Sequence, residues 1–139
     1  MTKAHFDSSL VNGFRQCLLG EAAAISSVSD HINMAEVVKA IDLLDGCRDK
    51  GAKLVVTGVG KSGIVARKIA ATFSSIGLTS IYLNPLDAMH GDLGVVTGDD
   101  IALLLSNSGE TQEVINVIAH LRLRKTVCIA LVGKGDSSI

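Results

Sequence analysis

Three short segments concentrate the residues whose types and spacing could do chemistry. The first, Gly58-Val59-Gly60-Lys61-Ser62-Gly63, is a glycine loop carrying one lysine, set between an apolar run and a helical period. At such a junction free backbone N–H groups and the helix dipole favour an anion. The plainer alternative is a tight turn with a solvated lysine. The second, Ser106-Asn107-Ser108-Gly109-Glu110-Thr111, puts three hydroxyls and a flexible glycine at the start of another helix. Hydroxyls and backbone amides are suitable donors for a phosphate monoester held without a metal. Helix capping by Asn107 or Ser108 is the alternative, but it needs only one of these residues. The third, NPLDAMHGDLG over residues 84–94, carries His90, a potential general acid, base or hydroxyl partner. His90 could equally be structural or solvated. Asp87 and Asp92 could orient it or simply shape the loop.

Two nucleotide motifs are excluded. G-x-G-x-x-G between a strand and a helix suggests a dinucleotide, but that reading also wants an acidic residue about 20 positions on. Here the next strand ends in Leu83 and Asn84. A Walker A loop fails because Val55 stands where its first glycine belongs.

The elements that must position these segments follow from periodicity. Residues 8–28 read as a helix with Leu10, Phe14, Cys17, Leu18 and Ala24 on one face, and residues 33–47 as a second through Met34, Val37, Val38, Ile41 and Leu44. Residues 53–58 form a short apolar run ending in glycine, as a buried parallel strand should. Residues 62–76 return to a helical period, 79–83 and 101–105 are strands, 110–121 a helix and 126–132 a fourth strand. Strands alternating with helices predict an α/β fold with a parallel sheet. The two leading helices are expected to pack on that sheet or on a partner subunit. In an open parallel sheet ligands bind beyond the carboxyl ends of the strands, and all three segments fall there. The last strand has no helix after it to cover the sheet edge. Either another subunit covers that edge or the chain is a fragment of something longer, and we expect the fragment.

Composition narrows the function. The 139 residues suit one domain, and 47% hydrophobic against 19% charged residues excludes disorder. With 3% aromatic residues and no Trp, burial rests on aliphatic packing. The mean hydropathy is +0.41. Thirteen basic residues against fourteen acidic ones, a net charge of −1, and no basic stripe argue against nucleic acid. Cys17, Cys47 and Cys128, few and far apart, read as buried thiols of a reducing compartment rather than disulfides or a zinc site. His5, His31 and His120 lack polar company and read as surface or packing residues. No run approaches the about 18 apolar residues of a membrane span, and MTKAHFDSSL is no signal peptide. A cytoplasmic protein is expected.

The blocks GVGKSGIVARKIAATFSSIG, NPLDAMHGDLGVVTGDD and SNSGETQEV, in that order and spacing, resemble the sugar isomerase (SIS) domain, and more narrowly the arabinose-5-phosphate isomerase family. The likeness runs over residues 8–139. It implies a flavodoxin-like five-stranded parallel sheet between helices, no cofactor, and interconversion of D-ribulose 5-phosphate with D-arabinose 5-phosphate. In Gram-negative bacteria that reaction leads to the Kdo sugar of lipopolysaccharide. Family members usually continue into paired CBS domains, which this chain lacks, and assemble as homo-oligomers, often tetramers with shared sites.

By the same resemblance Lys61 and Glu113 match catalytic positions, and His90 matches a histidine near the substrate. Ser62, Ser106, Ser108 and Thr111 match the phosphate cradle, with Gly60 and Asn107 in the same two loops. A second glutamate, a further histidine, the fifth strand and its helices belong to the part beyond residue 139. Leu78 stands where many members have Thr, and Asn84 replaces a histidine that in some members binds zinc. Aldose–ketose isomerisation needs a base, a stabiliser for the enediolate oxygen and a phosphate anchor. Glu113, Lys61 and the serine loop answer to those parts, with His90 as a proton shuttle for ring opening. Two rivals remain: a phosphosugar-binding module without chemistry, and a structural fragment that dimerises through its helices.

Overall fold

The computed structural model describes residues 8–139, and His5 lies outside them. The elements in chain order are α1 (Ser8–His31), α2 (Met34–Asp49), β1 (Leu54–Gly58), α3 (Lys61–Ser75), β2 (Ser80–Leu83), α4 (Pro85–Met89), a 3₁₀ turn (Asp92–Val95), β3 (Ile101–Ser106), α5 (Gln112–Leu123) and β4 (Val127–Val132). The chain divides into two compact units between Val38 and Lys39.

The first unit contains α1, which carries no buried residue. Leu10, Phe14 and Leu18, expected on a packing face, are exposed. Cys17 is exposed as well, which corrects the expectation that all three cysteines are buried. An α-helix satisfies its backbone internally, so α1 holds its shape without burying that face. Asn33 caps α2, its Oδ1 accepting from the Ala35 N–H at 3.0 Å.

The second unit is built on a four-stranded sheet in the order β2-β1-β3-β4. Every pair is parallel, with Val55 opposite Ile81 on one side and Ala102 on the other. Alternate strand residues point to opposite faces, and the sequence supplies an apolar residue for each. Val55, Leu83, Ala102 and Leu104 pack with Val114, Val117, Ile118 and Leu121 of α5 and with Ala88 and Leu93. Leu54, Val56, Ile101 and Leu105 pack on the other face with Cys47, Ala66, Ala70 and Leu78. All of β1 is therefore buried, the apolar Leu54, Val55 and Val56 together with Thr57 and Gly58. The small Ala66 and Ala70 let α3 lie close to the sheet. Burial raises the thiol pKa of Cys47, and likewise that of half-buried Cys128.

The amino ends of β1 and β3 are locked by one carboxylate. Asp100 is 2% exposed; its Oδ1 accepts from the Lys53 N–H at 3.0 Å, while Oδ2 accepts from Lys53 Nζ at 2.6 Å and the Thr97 N–H at 2.7 Å. Burial pushes this carboxyl upward in pKa. The bonds from Lys53 and Thr97 outweigh that and hold it below its ordinary value.

Residues 84–94, expected as a loop, contain α4 and the 3₁₀ turn. Asn84 caps α4 through Oδ1, which accepts from the Leu86 N–H at 3.1 Å, and Pro85 opens the helix. At the other edge β4 is only partly covered, with Leu131 57% exposed. No helix among the described residues is long and apolar enough to cross a membrane.

Candidate functional site

The order β2-β1-β3 places the loops after β1 and β3 side by side, because Gly58 and Leu105 are register partners in adjacent strands. The helices that follow, α3 and α5, pack on opposite faces of the sheet. The chain therefore parts between them, opening a crevice at the carboxyl ends of the strands. A cavity of about 350 Å³ lies there, with Lys61, Ser62, Ser106 and Asn107 as its polar side chains. Val65, Leu105, Leu131, Val132 and Gly133 complete its walls.

The glycine loop turns sharply to reach this place. Gly60 has φ 59°, which favours glycine, and sits directly before α3. Lys61 and Ser62 form the first turn of α3, where backbone N–H groups have no intrahelical acceptor. The turn is held by a residue that sequence reasoning overlooked. Tyr82 Oη donates to the Gly58 carbonyl at 3.0 Å, and the Arg67 guanidinium lies 4.0 Å from the Tyr82 ring centroid. Gly63 is required by closeness, since a Cβ there would stand 2.8 Å from Gly58 O and 3.0 Å from Tyr82 Oη.

The serine loop is bonded to itself. Ser106, 2% exposed, accepts from the Gly109 N–H at 3.0 Å through Oγ, and its hydroxyl pairs with Thr111 Oγ1 at 2.8 Å. Ser108 Oγ accepts from the Glu110 N–H at 3.2 Å. The residue at the amino cap of α5 is Thr111, without a side-chain capping bond, so neither Asn107 nor Ser108 caps this helix. Those two residues shape or line the loop instead.

The segment after β4 folds back on this loop. Gly133 N–H donates to Asn107 O at 3.2 Å and Ile139 N–H to Gly109 O at 3.2 Å. Glu110 accepts from Ser138 twice, from its N–H at 2.9 Å and its hydroxyl at 2.6 Å. These bonds from Ser138 lower the Glu110 pKa. Nothing in the apolar periodicity announces this contact; its only signal is the polar run Gly135-Asp136-Ser137-Ser138.

The other candidates stand apart from the cavity walls. Glu113 is half-buried in the first turn of α5, and Ser108 and Thr111 sit in the loop before it. His90 is exposed at the end of α4, its N–H donating to Asp87 O at 2.9 Å. The Asp87 carboxylate accepts from Asn84 Nδ2 at 2.9 Å, so it serves the loop. Among the described residues no three His, Cys, Asp or Glu side chains are grouped as a metal site would need.

The fold is thus a parallel α/β domain that carries a lysine-bearing glycine loop and a hydroxyl loop at neighbouring strand ends. The SIS domain matches residues 48–139, and the chain belongs to that family. Among its relatives is the arabinose 5-phosphate isomerase KpsF of Escherichia coli O6:H1 strain CFT073, 34% identical over 133 residues, or 96% of this chain and 40% of that protein. The arabinose 5-phosphate isomerase KdsD of Pseudomonas aeruginosa is 41% identical over 104 residues, 75% of this chain and 31% of that one. A solved E. coli CFT073 protein in complex with arabinose 5-phosphate superposes with a TM-score of 0.88 at 37% identity, covering 96% of this chain and 69% of that chain. This chain thus spans less than half the length of the two isomerases.

Proposed function

We propose that this chain binds a sugar phosphate in the crevice between the glycine and serine loops, and that the whole protein interconverts D-arabinose 5-phosphate and D-ribulose 5-phosphate. That conversion would supply the Kdo sugar of lipopolysaccharide. The observation that carries the reading is the shared cavity of Lys61, Ser62, Ser106 and Asn107 at the ends of adjacent strands. Amides of the first turn of α3, the Lys61 ammonium and hydroxyls together suit a phosphate dianion. The arabinose 5-phosphate complex of a similar protein supports the same ligand class.

In the reaction the phosphate anchor fixes the open-chain sugar, which contributes several kcal/mol by positioning. A base, for which Glu113 is the candidate, removes the proton from C2 of the aldose. The electrons move into a C1–C2 double bond, and the carbonyl oxygen takes up negative charge that Lys61 offsets. Protonation of that oxygen gives the cis-enediol. Loss of the proton from the C2 hydroxyl and protonation at C1 then give the ketose. His90 is the candidate proton shuttle for ring opening. No step needs a cofactor. The exposed Leu10, Phe14 and Leu18 of α1 support self-association, which sedimentation would read.

A second reading, a phosphosugar-binding module without chemistry, is favoured by one fact. Glu113 and His90 are not among the walls of the cavity that holds Lys61. Proton NMR with D-arabinose 5-phosphate in D₂O separates the two. Saturation transfer together with exchange at C2 and appearance of ribulose 5-phosphate marks the isomerase; saturation transfer alone marks the binder. Lys61→Ala and Glu113→Gln should lower exchange by more than they lower binding. An exchange rate left intact by both overturns the catalytic roles.

A further inference from the structure

A carboxylate inside a loop built to take a phosphate dianion is an electrostatic oddity, because like charges a few ångströms apart repel. Glu110 is that carboxylate, between Ser108 and Thr111. Among the described residues its oxygens hydrogen-bond with Ser138, one accepting from the main-chain N–H at 2.9 Å and the other from the hydroxyl at 2.6 Å, with the Lys134 charge as a lesser influence. The same segment holds the loop at two further points, Gly133 N–H to Asn107 O and Ile139 N–H to Gly109 O, each 3.2 Å. Ser137 fills the remaining space, since a Cβ at Gly109 would collide with its Oγ and Cβ. Gly109 also has φ 70°, so the loop takes a conformation that favours glycine at the point where the segment seats against it. The tethered residues Asn107, Gly109 and Glu110 interleave with the hydroxyl residues Ser106, Ser108 and Thr111.

We infer that Glu110 is a positioning residue, which through its two bonds to Ser138 keeps the serine loop in the shape that receives phosphate. This rests on the sugar-phosphate reading above. Two physical accounts of Glu110 predict opposite signs. If its charge acted directly on the ligand, removing that charge would tighten binding. Acting through Ser138, it must weaken binding when Glu110→Ala removes both bonds together with the charge; a glutamine would not separate the two accounts, since its carbonyl can accept from the Ser138 N–H while its NH₂ donates to Ser138 Oγ.

The test is a titration of the chain with D-arabinose 5-phosphate followed by NMR, on wild type, Glu110→Ala, Ser138→Ala, the double variant and Ser138→Thr. Each of the first two substitutions should weaken binding about threefold to tenfold, with the thermal midpoint little changed. The double variant should bind no worse than the weaker single one, since both break the same contact. Ser138→Thr, which keeps the hydroxyl and the N–H, should bind as wild type does. Equal or tighter binding by Glu110→Ala overturns the inference, as do losses that multiply in the double variant. Should Glu110→Ala fail to fold, Ser138 decides alone: a loss in its alanine variant that threonine restores supports the inference, and no loss overturns it. Wild-type chain that binds no sugar phosphate at all overturns the ligand reading itself, and is recognised before any variant is compared.

Discussion

Replacing Asp100 by Asn tests the lock at the amino ends of β1 and β3. The amide can keep Oδ1 facing the Lys53 N–H, but puts an NH₂ where Oδ2 accepted from the Thr97 N–H and from Lys53 Nζ. A buried N–H left without an acceptor costs about 1–2 kcal/mol. The Lys53 ammonium loses its counter-charge, but its side chain is 22% exposed, and water recovers part of the loss. Together these give about 3 kcal/mol, the low end for breaking a buried ion pair, or about 10 °C in thermal midpoint for a chain of this size. Urea unfolding at pH 7 followed by circular dichroism would read the loss directly. Its pH dependence is fixed in sign. The folded carboxyl is held below its ordinary value, so its contribution is complete above the unfolded pKa of about 3.9. It is lost as pH falls through the still lower folded value. The gap between wild type and Asp100→Asn should therefore persist from pH 7 to 5 and shrink below about pH 4. A gap under about 1 kcal/mol at pH 7 would refute the reasoning, and so would one that stays constant into acid.

Three further substitutions probe the start of α3, the interior of α2 and the cap of α4. Gly63→Ala forces a Cβ to 2.8 Å from Gly58 O, costing about 1–3 kcal/mol and loosening sugar-phosphate binding. Gly46→Ala, with nothing within 4 Å of its Cβ, should instead gain up to about 1 kcal/mol from helix propensity. A thermal melt that moved both variants the same way would contradict the contact. Asn84→Ala removes the cap of α4 and the partner of Asp87, costing about 1 kcal/mol. Amide exchange should quicken over Pro85–Met89 and nowhere in β3; unchanged exchange would count against the cap.

Strands β1 and β3 are legible in sequence because a strand buried on both faces must be largely apolar; β2 and β4, less covered, are read from their apolar runs, and all four bounds fall within a residue or so of 53–58, 79–83, 101–105 and 126–132. The two loops are legible for a related reason: glycines and hydroxyls at strand ends have no packing role to explain them. α4 is missed although Asn84-Pro85 is a capping signal, because five residues are too few to show a period. α1 is found, but its exposed apolar face is not, since periodicity tells which residues share a side and not whether anything covers it. The tie from Glu110 to Ser138 spans 28 positions and depends on backbone geometry at Gly109 and Gly133. Tyr82 escapes notice in the same way, as one more apolar strand residue until its hydroxyl is seen at Gly58.

The central place of β1 also orders events during synthesis. One edge of β1 pairs with β2, where Leu54 meets Ser80, and that pairing can close once β2 has followed α3 out of the ribosome. The other edge waits for Ile101, the partner of Leu54 in β3. A nascent chain halted before that residue presents a bare strand edge of unpaired N–H and C=O groups flanked by the apolar Leu54, Val55 and Val56, the kind of surface on which chains aggregate. Lys53 meanwhile has no Asp100 to receive it. The glycine loop is thus made early and stands idle, and the crevice comes into being only when β3 inserts beside β1.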